Sequence, residues 1–250
     1  MKIVDAFWEL RNLGKKTLEI TFEPEDFNKT PKEIYQLIEN LRVEYQAEYL
    51  VVKIRAGKPE FGNELCKNDF YHIETQLHLK AMRDDVEFAL NKYARFFRNA
   101  KLIEVTNSDD LNYIKSEIMK GIFHTDRIAL DKNFGVDIAN KRYANWVEDE
   151  FNRQSKLFFI MLNGNNIGFA LRKYEKISAH ALLAGLFSEY KNSKMGGTIY
   201  SIGLTHDFTE GFKIWHTDVS SNNLNSLRLQ QQFGYKIESV SEVYVKHYKY

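Results

Sequence analysis

Cysteine is almost missing from this chain: Cys66 stands alone in 250 residues. A lone thiol excludes an intramolecular disulfide and a cysteine-based zinc cluster, fits a reducing compartment, and is expected as core filler. Proline is scarce too, with 3 in the chain, and no low-complexity tract interrupts it. No flexible linker therefore announces a domain boundary, and boundaries must be taken from the order of elements. The first residues, MKIVDAFWELRNLG, carry Asp5, Glu9 and Arg11. They form neither the apolar region of a signal peptide nor a span of membrane length, so a cytoplasmic protein without a membrane partner is expected. Excess charge is lacking as well: 35 Lys and Arg balance 34 Asp and Glu, a formal net charge of +1, which argues against a nucleic-acid partner.

What is present suits a globular protein, with 44% hydrophobic and 28% charged residues and enough chain for one large core or two modest ones. Thr17 to Phe22 alternates as a strand, and Thr30-Pro31 opens a helix through Ile34, Leu37, Ile38 and Leu41. Tyr49 to Ile54 reads as a strand, Pro59 to Cys66 as a short helix, and Tyr71 to Leu79 as an alternating strand. A charged helical stretch from Asp84 to Phe97 follows, then an apolar run from Leu102 to Val105. Asn107 caps a helix containing Leu111, Ile114 and Ile118, and a second helix spans Asp137 to Gln154. A hairpin from Leu157 to Arg172 turns at Asn163-Gly164-Asn165-Asn166, and a final strand holds Val243 to Tyr248.

The most informative stretch is Leu182 to Gly197, LLAGLFSEYKNSKMGG, in which an apolar strand breaks into a polar loop and then into paired glycines that open a helix. Unpaired loop N–H groups, a helix N-terminus, Lys191 and Lys194 together predict a phosphate cradle. Neither the P-loop nor the dinucleotide fingerprint is there. The segment Glu189 to Gly196 resembles the pyrophosphate loop of the GNAT superfamily of acetyl-CoA-dependent N-acetyltransferases, Arg/Gln-x-x-Gly-x-Gly/Ala. Lys191 takes its first position and Gly196 its last, while Lys194 stands where the family usually has glycine. Downstream, Val219-Ser220-Ser221-Asn222-Asn223, Ser226 and Phe233-Gly234-Tyr235 resemble the family's Asn-capped helix and Gly-Phe segment, although Ser and Asn there also suit plain capping.

Acetyl-CoA as co-substrate, with no metal, is what the resemblance implies. It places the cofactor against Gly185, Leu186, Lys191, Asn192, Ser193, Lys194, Met195, Gly196, Gly197, Asn223 and Ser226. It also implies an α/β fold: a complete GNAT domain over 101–250, its mixed, mostly antiparallel sheet flanked by helices, preceded over 1–100 by a smaller partial GNAT-like unit ending in HIETQLHL. With FHTDRIALDKNFG and KRYANWVEDEF, that arrangement is similar to bacterial sugar-nucleotide N-acetyltransferases of the dTDP-fucosamine type.

Acetyl transfer needs a neutral amine, a held thioester carbonyl and a site for the oxyanion. In the family, backbone N–H groups of the strand before the loop serve the carbonyl, here around Gly185 and Leu186. The glutamate base of several members lies eleven residues before the loop's first position, where this chain has His180, whose side chain type is suited to proton transfer near neutral pH. The alternative for His180 is a half-buried strand histidine bonded to a carbonyl. The family's thiolate-protonating tyrosine is replaced by Gln230, which leaves Tyr244 as the candidate acid. Phe123, His124 and Arg127 fall where acceptor sites are walled, with Tyr143 and Trp146 sharing a helix face. Arg127 suits a substrate phosphate and Trp146 a base or sugar ring, whereas an Asp126–Arg127 ion pair and core aromatics are the plainer alternatives. The expected acceptor is a small-molecule amine, foremost a nucleotide-linked amino sugar, and a homodimer is compatible with the chain. A protein, peptide or antibiotic amine, or a non-catalytic acyl-CoA-binding regulator, are the other readings.

Overall fold

Alternation along the chain becomes strands because every second side chain reaches a core: Leu18, Ile20 and Phe22 are buried together, as are Leu50, Val52 and Ile54. The computed structural model describes residues 1–93, 99–153, 155–191, 193 and 195–248. In chain order the elements are β1 (Lys2–Asp5), α1 (Glu9–Leu13), β2 (Thr17–Thr21), α2 (Pro31–Tyr45), β3 (Tyr49–Arg55), α3 (Pro59–Lys67), β4 (Tyr71–Met82), α4 (Arg83–Tyr93), β5 (Ala100–Glu104), α5 (Ser108–Ile118), α6 (Arg127–Leu130), α7 (Val136–Asn152), β6 (Lys156–Leu162), β7 (Asn165–Glu175), β8 (Ser178–Leu186), α8 (Gly196–Thr209), β9 (Ile214–Ser220), α9 (Leu224–Gln232) and β10 (Lys236–His247). Helix starts follow capping chemistry: Thr30 and Glu33 form a reciprocal capping box, and the Asn107 side chain accepts from the Asp110 amide. The β6–β7 hairpin turns on Asn163 and Gly164, both at positive φ, the conformation that a two-residue loop requires.

Differences from expectation are few. β1 and α1 carry no clear periodic signal; β1 is a mostly exposed edge strand held by antiparallel pairing to β2. Cys66 is exposed rather than core filler, because α3 turns Phe61 and Leu65 inward and leaves Cys66 on its outer side. The end of the stretch expected to run to Phe97, and Gln154, lie outside the described residues. Among the described residues no helix is long and apolar enough to cross a membrane, and no cluster of His, Cys, Asp or Glu suits a metal.

The ten described strands form one sheet in the order β1-β2-β3-β10-β4-β9-β8-β7-β6-β5. The last strand, β10, lies between β3 and β4, antiparallel to both, and β4 lies between β10 and β9. A division at residue 100 therefore does not separate two sheets: the first 100 residues supply a strand to the middle of the second unit's sheet, and the second unit returns one in exchange. Helices α1, α5, α6 and α7 cover one face, where Ile114, Ile128, Ala139 and Val147 are buried against the sheet. α2, α3, α4, α8 and α9 cover the other.

One buried carboxylate fixes α8. Asp207, fully buried, pairs with Arg172 of β7, accepts from Tyr174 Oη at 2.9 Å and accepts from Trp215 Nε1 of β9 at 3.0 Å. Gly203 makes room, since a Cβ there would lie 2.5 Å from Arg172 Nη1.

Two outcomes are expected. Fragments 1–100 and 101–250 made separately should show no cooperative thermal transition, because each lacks a strand from the middle of the sheet; a sharp transition for either alone would refute the strand exchange. Asp207→Ala should cost about 3–5 kcal/mol in chemical denaturation, because it leaves the Arg172 guanidinium buried without its counter-charge. A loss under about 1 kcal/mol would mean that water replaces the carboxylate.

Candidate active site

β8 and β9 run parallel and share a ladder only from Ser178/Ile214 to Ala181/Thr217. Two features end it. On the β7 side, Leu171 faces Leu183 and Arg172 faces Ala181, so Leu182 is an extra residue that bends β8. On the β9 side, Thr217 Oγ1 donates to the Ala181 carbonyl at 3.0 Å. Beyond this point the strands part, and a cavity of about 730 Å³ opens between them, lined by Leu182, Leu183 and Ala184 on one side and Asp218, Val219 and Ser220 on the other. The edge of β8 that faced β9 has no ladder partner there, which leaves backbone groups to serve a ligand.

The wedge reaches α8 and α9 on one face of the sheet. α8 begins at Gly196 with no side-chain cap; the Thr198 amide is taken by the Met195 carbonyl at 2.9 Å, which leaves the Gly196 and Gly197 amides as the ones an anion could meet. Ser193 Oγ turns away from that role and donates to the Tyr190 carbonyl at 2.6 Å. A Cβ on Gly196 would come within 3.2 Å of Leu229 Cδ1, so glycine also lets α9 pack against the start of α8. Met195 packs into the apolar cluster beneath. Lys191 is exposed at the rim, and Asn192 and Lys194 lie outside the described residues. Asn223 caps α9 through Ser226 N at 3.2 Å and also lines the cavity, so both expected roles fall on one residue. Ser226 Oγ meets Tyr200 Oη at 2.6 Å and receives Gln230 Nε2 at 3.3 Å. Gln230 Oε1 is buried with no hydrogen-bond partner among the described residues, an acceptor that a ligand amide can satisfy.

Gly185 and Leu186 are not part of the cavity wall. Gly185 packs under Ile122, Phe123 and Phe169, and its carbonyl lies where a Cβ of Gly168 would go, so the strand segment that lines the cavity is Leu182 to Ala184.

The other face of the sheet carries polar side chains at every second position: Glu74, Gln76 and His78 on β4, His216 and Asp218 on β9, and His180 on β8. His180 is one-third exposed, stacks on His216 with ring centroids 4.9 Å apart, and stands 3.7 Å from Glu175 Oε2. Burial and the neighbouring His180 hold the His216 imidazole below its ordinary pKa. His78 is fixed between Asp218 at 2.6 Å and Ser241 at 3.0 Å. Tyr244, expected as an acid, is elsewhere: it lies under α3, where its hydroxyl donates to Glu242 at 2.9 Å and closes against Gly62. The inward side of β10 at that position faces the α2–α3 core, so the hydroxyl does not reach the wedge.

Of the expected acceptor residues, Phe123, Arg127, Tyr143 and Trp146 line the cavity, whereas His124 points to solvent outside it. Phe123 and Tyr143 are 4.5 Å apart, and burial pushes the Tyr143 hydroxyl pKa up. Asp126 does not pair with Arg127; it caps α6 through Ala129 N at 3.1 Å. Arg127 pairs instead with Glu19 of β2. Burial of Glu19 opposes its charge, but Arg127 and Lys53 outweigh it and hold the carboxyl at about 2. Arg142, not anticipated, spends Nε on the fully buried Glu9 at 2.6 Å. Glu74, Gln76 and His78 were legible as the polar half of HIETQLHL, yet nothing local in that motif shows that β4 borders β9. Tyr200 had a signal too, one helical turn after Gly196.

No protein-family model matches the chain, and no curated protein matches it. Solved structures do share its fold. A GCN5-related N-acetyltransferase from Sphaerobacter thermophilus superposes with a TM-score of 0.59 at 9% identity, covering 92% of this chain and 73% of that one. Another, from Kribbella flavida, gives 0.57 at 12% identity over 92% and 80% of the two chains. A tandem GNAT protein from the clavulanic acid biosynthesis pathway gives 0.54 at 9% identity over 86% and 69%. The parted parallel strands, the glycine-opened helix beside them and these superpositions together make this an α/β GNAT fold joined to a partial GNAT-like unit.

Proposed function

We propose that the protein is an acyl-CoA-dependent N-acetyltransferase that moves an acetyl group directly from the thioester to a primary amine, foremost that of a nucleotide-linked amino sugar. One observation carries the reading: β8 and β9 part beyond Ala181/Thr217, and the cavity between them reaches Tyr200, one turn into α8, whose start at Gly196 has no side-chain cap, so a thin arm between the strands and an anion at Gly196 and Gly197 would lie along one helix. Bound there, acetyl-CoA supplies the activated carbonyl. Gln230, Ser226 and Asn223 offer polar contacts along the arm, and the open edge at Leu182 to Ala184 offers donors to the oxyanion that forms as the amine attacks.

The acceptor enters from the opposite face. Phe123, Tyr143 and Trp146 give it an aromatic wall suited to a base or sugar ring, and Arg127 and Arg142 stand beside that wall. Arg127 Nε is buried without a partner among the described residues, and a substrate phosphate oxygen would satisfy it. His180 takes the proton released by the amine, with His216 stacked behind the ring. The thiolate is left near Tyr200 and Ser226, the hydroxyls closest to Gln230 in the wedge wall.

Acetyl-CoA should raise the melting temperature of the parent protein by mass action. Gly196→Val should weaken acetyl-CoA binding by about tenfold or more in calorimetry, because the added methyl groups fill the space over the helix start and press on Leu229. Unchanged affinity in that variant would dismiss the loop as the pyrophosphate site. His180→Ala should lower kcat/KM by roughly two to four orders of magnitude while leaving the acetyl-CoA dissociation constant alone. If turnover at pH 7 stays at the parental level, His180 is a structural strand residue and the base lies elsewhere on that face.

A further inference from the structure

Glu74 is the unexplained charge of the cavity. It sits on β4, the strand that the first part of the chain inserts beside β9, with its partner position past the end of the β4–β9 ladder at Gln76/Ser220. The residue is 8% exposed and lines the cavity on the acceptor face. Buried carboxylates ordinarily hold a cation or several donors, because an uncompensated charge out of water is costly. Glu74 has neither. Its hydrogen-bonding neighbour is the Ser220 hydroxyl, and burial drives its pKa up in spite of the attraction of Arg127. The two arginines of the same wall are already committed, Arg127 to Glu19 and Arg142 to Glu9. Asp126 is committed as well, to the start of α6. Lys80 lies further along β4 and pairs with Glu238 at 3.0 Å. The wall thus pairs its own arginines from behind, and of the four carboxylates that line the cavity Asp218 is held by His78, Glu238 by Lys80 and Asp126 by the start of α6, which leaves Glu74 as the one without a cation or cap among the described residues.

We propose that Glu74 is the seat of the acceptor's ammonium group, a specificity-determining carboxylate that the N-terminal unit contributes to the acyl-transfer site. The proposal rests on the acyltransferase reading above. An amine in neutral water is mostly ammonium, so binding must begin with the charged form; Glu74 gathers that form and orients its nitrogen. Proton removal then falls to a second group on the same face. Neutral isosteres of the amine gain nothing from Glu74, so the residue selects amines over alcohols before any chemistry takes place. The insertion of β4 between β9 and β10 also acquires a purpose, since it brings the buried, unpaired carboxylate of Glu74 into the cavity.

The test uses the full chain saturated with acetyl-CoA or CoA, and n-butylammonium with n-butanol as probes, followed by calorimetric titration. The parent should bind butylammonium at least about tenfold more tightly than butanol, the effect of one desolvated charge pair. Glu74→Gln, nearly the same shape, should reduce that preference to about unity while leaving acetyl-CoA affinity unchanged, and Glu74→Asp should restore part of it. An equal preference in the parent and in Glu74→Gln overturns the proposal, as does a parent that fails to prefer the ammonium. Failure of the parent to bind acetyl-CoA is a different result, and it removes the acyltransferase reading instead. If Glu74→Gln loses acetyl-CoA binding and melts early, the comparison moves to Glu74→Asp, which must then retain the ammonium preference.

Discussion

The Asp207 carboxylate is the point on which the site's geometry depends. It is buried, and it is held by an arginine from β7, a tyrosine from the same strand and the indole of Trp215 on β9. Those strands stand on either side of β8, which must leave its neighbour for the wedge to open. A helix tied to both flanking strands cannot follow β8 when it bends, so α8 keeps its place beside the opening, where Tyr200 lines the cavity. The connection is polar, and so directional, in a way that leucine packing alone is not.

Around that anchor, the cavity draws on the whole chain. One side of it comes from α8, α9 and the free edge of β8, all within one contiguous stretch of sequence. The other side is composite: Glu74, Gln76 and His78 come from β4, the aromatic wall from α7 and the loop before α6, and the histidine pair from β8 and β9. Behind that wall, Glu9 and Glu19 of the first elements hold Arg142 and Arg127 in place. The N-terminal unit therefore shapes that side twice, directly through β4 and indirectly through the counter-ions of two arginines.

How much of this was legible in the sequence follows the range of the interactions involved. Local signals worked: Thr30-Pro31, Asn107 and Asn163-Gly164 each state their cap or turn in a few residues. The glycine-opened helix and Asn223 were legible for the same reason, because an uncapped helix start and an N-cap are local facts. The strand exchange was not legible, since β10 contains nothing that says it will insert between β3 and β4 rather than extend an edge. That hidden pairing accounts for the misplaced Tyr244, whose side of β10 could be known only from its neighbours. It also accounts for the silence over Glu74, which on its own strand reads as one polar position in an alternating row. The shift from Gly185 and Leu186 to Leu182 through Ala184 has a smaller cause, a one-residue bulge that only the register with β7 exposes.

The position of β10 also sets a timetable. Residues 236–247 form the last of the described strands, and they close the gap between β3 and β4, strands that begin 187 and 165 residues earlier in the chain. Until then β3 and β4 each present an open edge rich in valine, leucine and isoleucine, the kind of surface that pairs with whatever strand it meets first. The chain must therefore hold back a nearly finished sheet during synthesis, and its folding speed is tied to a long-range closure rather than to its helices. Lysines and histidines spaced through β3 and β4, such as Lys53, His72 and His78, put charge and polarity along those waiting edges and make association with a second nascent chain less favourable.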